Sequence, residues 1–281
     1  MLTKKKCGFI SLMGFPNAGK STLINRLVKK KVSIISPKIQ TTRDDIKGIL
    51  NQKNTQFVFV DTPGLVTKKK FQKKNMLRSI LKNVDEIDCN LFVVDSTRKI
   101  SKNEMFFFQE YSNDLQFNFL VLNKIDLIDK HELLDLSQKY NKVLNFRGTF
   151  MVSAKKDRGI SFMLKKIEDF LPYKDWVYNS DVYTDKNLEF QISEITREKV
   201  FILINKELPY SINVKTIFDK KSKNNMRIIQ TIETNKMSHK PIIIGKEGKK
   251  IKDIGTRARI DIEKLLNRKI FLELNVIVKK K

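Results

Sequence analysis

Short apolar runs recur at residues 9–13, 46–50, 57–60, 91–94, 117–122 and 149–152, each bounded by polar positions. Runs of this length predict strands buried on both faces. Amphipathic stretches of helical period lie between most of them. Strand alternating with helix predicts an α/β domain, a mostly parallel six-stranded sheet with helices on both faces and its ligands at the carboxyl ends of the strands.

Past residue 172 the pattern changes. Leu171-Pro172-Tyr173 closes the last helix of the first domain, and residues 173–185, rich in Asp, Tyr and Asn, predict a linker in which Trp176 packs between domains. Residues 188–203 carry helical period, 211–218 and 227–234 alternate as strands, and 240–244 form a short helix with Pro241 in its first turn. Residues 249–266 are amphipathic and helical, and 270–278 form a strand. This order is an α+β unit and does not continue the first sheet. The expected division is therefore 1–172, a linker at 173–185, and 186–281, and 281 residues accommodate two such cores.

Composition adds a partner class without locating it. The 56 Lys+Arg against 31 Asp+Glu leave a formal charge of +25, which points to a polyanion such as nucleic acid or an anionic membrane face. Residues 1–172 hold 32 basic and 17 acidic side chains and residues 173–281 hold 24 and 14, so the excess is spread over both domains. Cys7 and Cys89 fall in apolar runs, as small buried hydrophobes do, and neither has a second ligand at metal spacing. No apolar run approaches the roughly 18 residues of a membrane span, and residues 1–6 lack the pattern of a signal peptide, so a cytoplasmic protein is expected.

The chemistry begins at the end of the first predicted strand. Gly14-Phe15-Pro16-Asn17-Ala18-Gly19-Lys20-Ser21 has the spacing G-x-x-x-x-G-K-[ST] and opens a helix that continues with Thr22. Glycines at these positions let successive N–H groups turn in around phosphate oxygens, Lys20 reaches the terminal phosphates, and the Ser21 hydroxyl ligates Mg²⁺. Asp61-Thr62-Pro63-Gly64 follows the strand at 57–60, where Asp61 can hold the Mg²⁺ shell through water and the Gly64 N–H can face the γ-phosphate. Asn123-Lys124-Ile125-Asp126 follows the strand at 117–122. A carboxylate at Asp126 accepts from guanine N1–H and the 2-amino group, two donors that adenine lacks, so GTP is selected over ATP. Ser153-Ala154-Lys155, after the sixth strand, fits a backbone contact to the guanine carbonyl. Residues 31–45 contain Gln40-Thr41-Thr42-Arg43, a loop in which Thr42 would ligate Mg²⁺ only while γ-phosphate is present.

In the second domain, Gly245-Lys246-Glu247-Gly248 lies between two predicted helices, preceded by Ile244 and followed by Lys249, Lys250, Lys252, Arg257 and Arg259. A G-x-x-G turn between helices lets an RNA backbone approach closely, and the next helix N-terminus favours phosphate. Residues 240–259 carry seven basic and two acidic side chains. Glu247 departs from the basic or neutral filling usual in such a loop, which weakens phosphate contact.

Together with Ser193-Glu194-Ile195-Thr196-Arg197-Glu198-Lys199, Glu207-Leu208-Pro209-Tyr210-Ser211 and Ile251-Lys252-Asp253-Ile254-Gly255, these elements resemble the translation-factor-related class of P-loop GTPases, and within it the Era family of bacterial small-subunit assembly GTPases. The resemblance covers nearly the whole chain. It implies a GTPase domain followed by a type II KH domain that binds the 3′ end of small-subunit ribosomal RNA under nucleotide control. It also implies a monomer with peripheral membrane contact at the inner face of the cell membrane. Leu65 stands where Ras-like proteins carry the water-positioning Gln, so intrinsic hydrolysis should be slow. Relatives with Asn at the position of Asn17 are often stimulated by K⁺ lying beside the phosphates, which adds K⁺ to the expected Mg²⁺. The rival classes are a membrane-associated regulatory GTPase and an RNA-modifying GTPase. The second shares the switch residues from Thr41 to Asp44 but carries extra domains for which this chain has no room.

Overall fold

The computed structural model describes residues 4–35, 46–61, 87–112, 117–204, 212–219 and 226–279. Thr41 and Thr42 of the expected switch, Thr62, Pro63, Gly64 and Leu65, and the stretch 207–211 lie outside the described residues.

The first compact unit takes in residues 4–33 and 46–185 of the described chain. Its strands are β1 (Lys6–Met13), β2 (Ile46–Gln52), β3 (Thr55–Asp61), β4 (Ile87–Asp95), β5 (Asn118–Asn123) and β6 (Gly148–Val152). They form one sheet in the order β2-β3-β1-β4-β5-β6. All pairings are parallel except β2 with β3, a hairpin whose register runs from Ile46↔Asp61 to Gln52↔Thr55. Its tip carries Lys53 at φ 52, the left-handed conformation a tight hairpin requires. Helices α1 (Lys20–Val28), α2 (Lys102–Ser112) and α3 (Lys130–Val143) lie between strands, and α4 (Ile160–Glu168) follows β6. β1 is flanked by β3 and β4, so the strand order reverses there, and the crevice at such a reversal is where α/β sheets bind ligands. One face is sealed by Phe92, Leu120 and Leu122 of the sheet against Phe107 and Phe108 of α2 and Leu133, Leu136 and Tyr140 of α3. The Phe92 and Phe108 rings meet edge to face at 5.0 Å.

Residues 173–185 behave differently from a composition-based linker, because they add to the edge of this sheet. Ile49 N donates to Tyr183 O (2.9 Å), and Gly48 pairs antiparallel with Thr184. Gln56, fully buried, uses its side chain as a short strand: Oε1 accepts from Val177 N and Tyr178 N, and Nε2 donates to Tyr178 O at 2.8 Å. Trp176, expected between the domains, donates from Nε1 to Asn54 O (3.2 Å) and packs beside Cys7, Phe9 and Val58 within the first unit.

The second unit contains α5 (Leu188–Leu203), β7 (Asn213–Asp219), β8 (Met226–Thr234), α6 (His239–Ile244), α7 (Lys249–Leu266) and β9 (Ile270–Val278). The sheet order is β7-β8-β9, antiparallel then parallel. Asn187 caps α5 by accepting from Phe190 N at 2.9 Å. Ile192, Ile195 and Val200 of α5 and Ile254, Ala258 and Ile262 of α7 bury against Ile228 and Ile232 of β8. Gln230 is a fully buried polar group within this core, and it is satisfied. Its Oε1 accepts from Thr196 Oγ1, and its Nε2 donates to Thr216 Oγ1 and Ile192 O.

Candidate nucleotide site and nucleic-acid interface

The loop from Gly14 to Gly19 leaves the end of β1 and runs directly into α1, whose turns begin with Leu23 N donating to Gly19 O. Gly19 stands at φ 95, and a Cβ there would meet Asn123 Nδ2 at 2.3 Å, so only glycine lets β5 close on this loop. Lys20, 8 % exposed, donates from Nζ to Gly14 O (2.7 Å) and Phe15 O (3.2 Å). Burial lowers its pKa, and the Asp61 carboxylate opposes that shift. A cation buried against neutral carbonyls gains strongly from an anionic ligand.

Ser21 of α1 and Asp61 at the end of β3 converge beside that lysine. Ser21 Oγ donates to Asp61 Oδ2 at 3.3 Å, and Ser33 Oγ donates to the same oxygen at 2.9 Å. Ser33 is held there by Asn25 of α1, whose Oδ1 accepts from Val32 N and Ser33 N and whose Nδ2 donates to Ser33 O. Among the described residues no cluster of three or more His, Cys, Asp or Glu could hold a metal alone. One hydroxyl and one carboxylate are nevertheless the hard oxygen donors with which Mg²⁺ is bound when phosphates and water complete its shell.

The base end is assembled by Asn123. Its Nδ2 donates to Ala18 O (2.9 Å), and its Oδ1 accepts from Lys124 N (2.9 Å) and Ala154 N (3.1 Å). One buried amide therefore ties the phosphate loop, the Lys124–Asp126 turn and the Ser153–Lys155 loop together. Ser153 Oγ donates to Asp126 Oδ1 at 2.5 Å, and this bond, the largest influence, holds the Asp126 carboxyl below its usual range. Asp126 is therefore ionised, as an acceptor for two N–H donors must be. Arg26 of α1 braces the same loop through Ala154 O and Lys155 O. Thr22 and Ile125 lie half-buried at the helix start and in the turn, next to the residues that carry the polar contacts.

Asn25, Arg26, Ser33 and Asp95 are not singled out by the sequence motifs. Asp95 has a sequence signal, an acid directly after the apolar run of β4, in the row of the sheet that holds Asn123. Ser33 has none, because its place depends on the Asn25 clip.

In the second unit, Gly245 (φ 74) and Gly248 (φ 73) flank Lys246 and Glu247 between α6 and α7. Lys249, Lys250 and Lys252 crowd the first turn of α7, which contains no acid. Cations at a helix N-terminus oppose its dipole, and a phosphate placed there satisfies both. Glu247 Oε2 lies 3.2 Å from Lys249 Nζ, and Arg257 Nε donates to Asp253 Oδ1 at 2.8 Å. The two acids thus each engage one basic residue. These pairs are solvent-exposed and weak, so phosphate competes with them readily. Ile244 and Ile251 are half-buried on the neighbouring apolar surface, suited to receive bases.

The chain is similar to known proteins at three levels. A family model described as 50S ribosome-binding GTPase matches residues 9–124, and one described as KH domain matches residues 207–281. The GTPase Era of Syntrophus aciditrophicus (strain SB) is 40 % identical over 277 residues, 98 % of this chain and 90 % of that protein. The GTPase Era of Staphylococcus haemolyticus (strain JCSC1435) is 37 % identical over 282 residues, 99 % of this chain and 94 % of that protein. A crystal structure of Era in complex with MgGDPNP and nucleotides 1506-1542 of 16S ribosomal RNA matches with a TM-score of 0.89 at 35 % identity, covering 99 % of this chain and 95 % of that one. A variant of Aquifex aeolicus Era bound to GDP.AlF4- matches with a TM-score of 0.89 at 34 % identity, covering 98 % and 95 %.

Proposed function

This chain belongs to the Era family of GTPases, and from that premise we propose that it hydrolyses GTP with Mg²⁺ and binds the 3′ end of small-subunit ribosomal RNA during assembly of the small ribosomal subunit. Residues 1–172 supply the GTPase domain, 173–185 extend its sheet edge as they lead out of it, and 186–281 supply the type II KH domain. Lys20 and the N–H groups of residues 15–20 take up charge on the β- and γ-phosphates, Asp126 selects guanine, and Thr42 and Gly64 complete the γ-phosphate end. Ser21, Thr42 and, through water, Asp61 would hold Mg²⁺, which when bound neutralises charge developing between those phosphates. The RNA runs over Gly245–Gly248 and the lysines of α7, and the nucleotide state governs whether it is held. The protein acts in the cytoplasm as a monomer, with peripheral membrane contact supported by its charge of +25.

The observation that carries this reading is the Asn123 amide, which joins the phosphate loop to the guanine-selecting turn in a single site. Asp126→Asn tests it. An amide presents a donor where guanine also donates, so GTP affinity should fall by at least about 100-fold while xanthosine triphosphate, with a carbonyl in place of the 2-amino group, gains. Unchanged GTP affinity by fluorescence titration would defeat the base assignment.

Potassium dependence rests on Asn17, at φ 66 in the phosphate loop. Turnover should be several-fold faster in K⁺ than in Na⁺ at equal ionic strength, and equal rates would remove K⁺ from the mechanism.

A further inference from the structure

Asp95 belongs to none of the sequence elements expected to bind nucleotide, yet its carboxylate is held by four polar contacts beside them. It ends β4, is 6 % exposed, and stands opposite Asn123 in the register of β4 with β5. Ser96 N reinforces that junction by donating to Asn123 O at 3.0 Å. Asp95 Oδ1 accepts from Thr97 N (3.1 Å) and Thr97 Oγ1 (2.7 Å), which fixes the carboxylate plane. Its Oδ2 then meets Lys124 Nζ at 2.5 Å and Arg98 Nε at 3.2 Å.

Lys124 is thereby held at both ends. Its backbone sits at φ 68, left-handed and unfavourable for a residue with a Cβ, and is kept there by Asn123 Oδ1 on its N–H and by Leu127 N donating to its carbonyl. Its ammonium is anchored on the neighbouring strand. The turn that presents Asp126 to guanine is thus braced from β4 through one extended lysine, whose large rotamer freedom is given up before nucleotide arrives. We propose that Asp95 is a positioning residue that sets the residence time of guanine nucleotides by pinning Lys124 and, through it, the Asp126 turn.

The inference rests on the guanine assignment above and goes beyond it. The competing explanation is that Asp95 only caps the Thr97 turn, a structural role that would not depend on Lys124. Stopped-flow dissociation of methylanthraniloyl-GDP and of the corresponding non-hydrolysable GTP analogue separates the two. The measurement uses the full chain carrying Asp95→Ala or Asp95→Asn, each with Lys124 intact and with Lys124→Ala. Asp95→Ala should speed release of both nucleotides by the same factor, about tenfold, because it acts at the base end, while single-turnover hydrolysis by saturated protein changes less than about twofold. Asp95→Asn retains an acceptor for Thr97 and removes the charge, so it should show most of the loss with an unchanged melting temperature for the nucleotide-free protein. In the Lys124→Ala background either change should add less than about twofold. Unaltered release, or an equal acceleration with and without Lys124, would overturn the proposal. Failure of the unaltered chain to bind the GDP probe would instead remove the guanine assignment beneath it.

Discussion

Replacing Lys20 by alanine should abolish GTP binding. Lys20 is a nearly buried cation, and its ammonium meets only the Gly14 and Phe15 carbonyls among the loop atoms. Removing it takes the ammonium from both carbonyls, of which Phe15 O keeps Ala18 N as a donor, and leaves the terminal phosphates facing carbonyl dipoles and the Asp61 carboxylate with no compensating charge. Breaking a buried ionic contact on one side costs about 3–5 kcal/mol, roughly two to four decades in affinity. The loss should be common to GDP and GTP but larger for GTP, whose γ-phosphate brings additional charge. Calorimetric titration of both nucleotides checks this, alongside thermal melting of the free variant to establish that it is folded. GTP affinity within tenfold of the unaltered chain would place the phosphates elsewhere.

Changing Gly245 and Gly248 together to Asp should abolish RNA binding while GTP turnover persists. Gly245 stands at φ 74, where a Cβ would press to 2.7 Å from Lys250 Cβ, and Gly248 at φ 73 has nothing within 4 Å of a new Cβ. The outward side of Gly248 is therefore space that a phosphate backbone can enter, and a carboxylate there occupies it with like charge. Such juxtaposition costs several kcal/mol, so affinity for a single-stranded fragment of the ribosomal 3′ end should drop at least about 100-fold. Gly248→Asp alone serves as the control, since it adds charge without the steric conflict at Gly245 and should produce most of the loss. For the unaltered chain, each phosphate contact adds about 0.7 to the steepness of log affinity against log salt, and the double variant should flatten that dependence. Retained RNA binding would show that another surface is used.

Several features of this molecule are legible residue by residue. The apolar runs around β1, β3, β4 and β5 mark strands because a strand covered on both faces has no polar alternation to blur it. The spacing from Gly14 to Ser21 is readable because close approach to phosphate tolerates few residue types. Residues 188–203 and 249–266 have the bounds of α5 and α7 because each carries a long amphipathic period with clear ends.

Other features have no local signature. Residues 173–185 read as linker because they lack apolar periodicity, yet their backbone groups find partners on β2 and on the Gln56 side chain, which composition does not encode. Trp176 follows the segment onto the first unit for the same reason.

The sequence by itself determined what kinds of chemistry this chain is expected to hold: a phosphate loop, an acid proposed to select guanine and a glycine turn set among lysines. Each is a contiguous string whose residue types are those that direct contact with such a ligand would require. The tertiary structure alone decided how those strings become a site. Asn123 closes three loops with one amide, Asp95 pins Lys124 across two strands, and Asn25 sets Ser33 on Asp61. These contacts join groups from separate elements, and their geometry follows from sheet order and register, which no local stretch of residues contains.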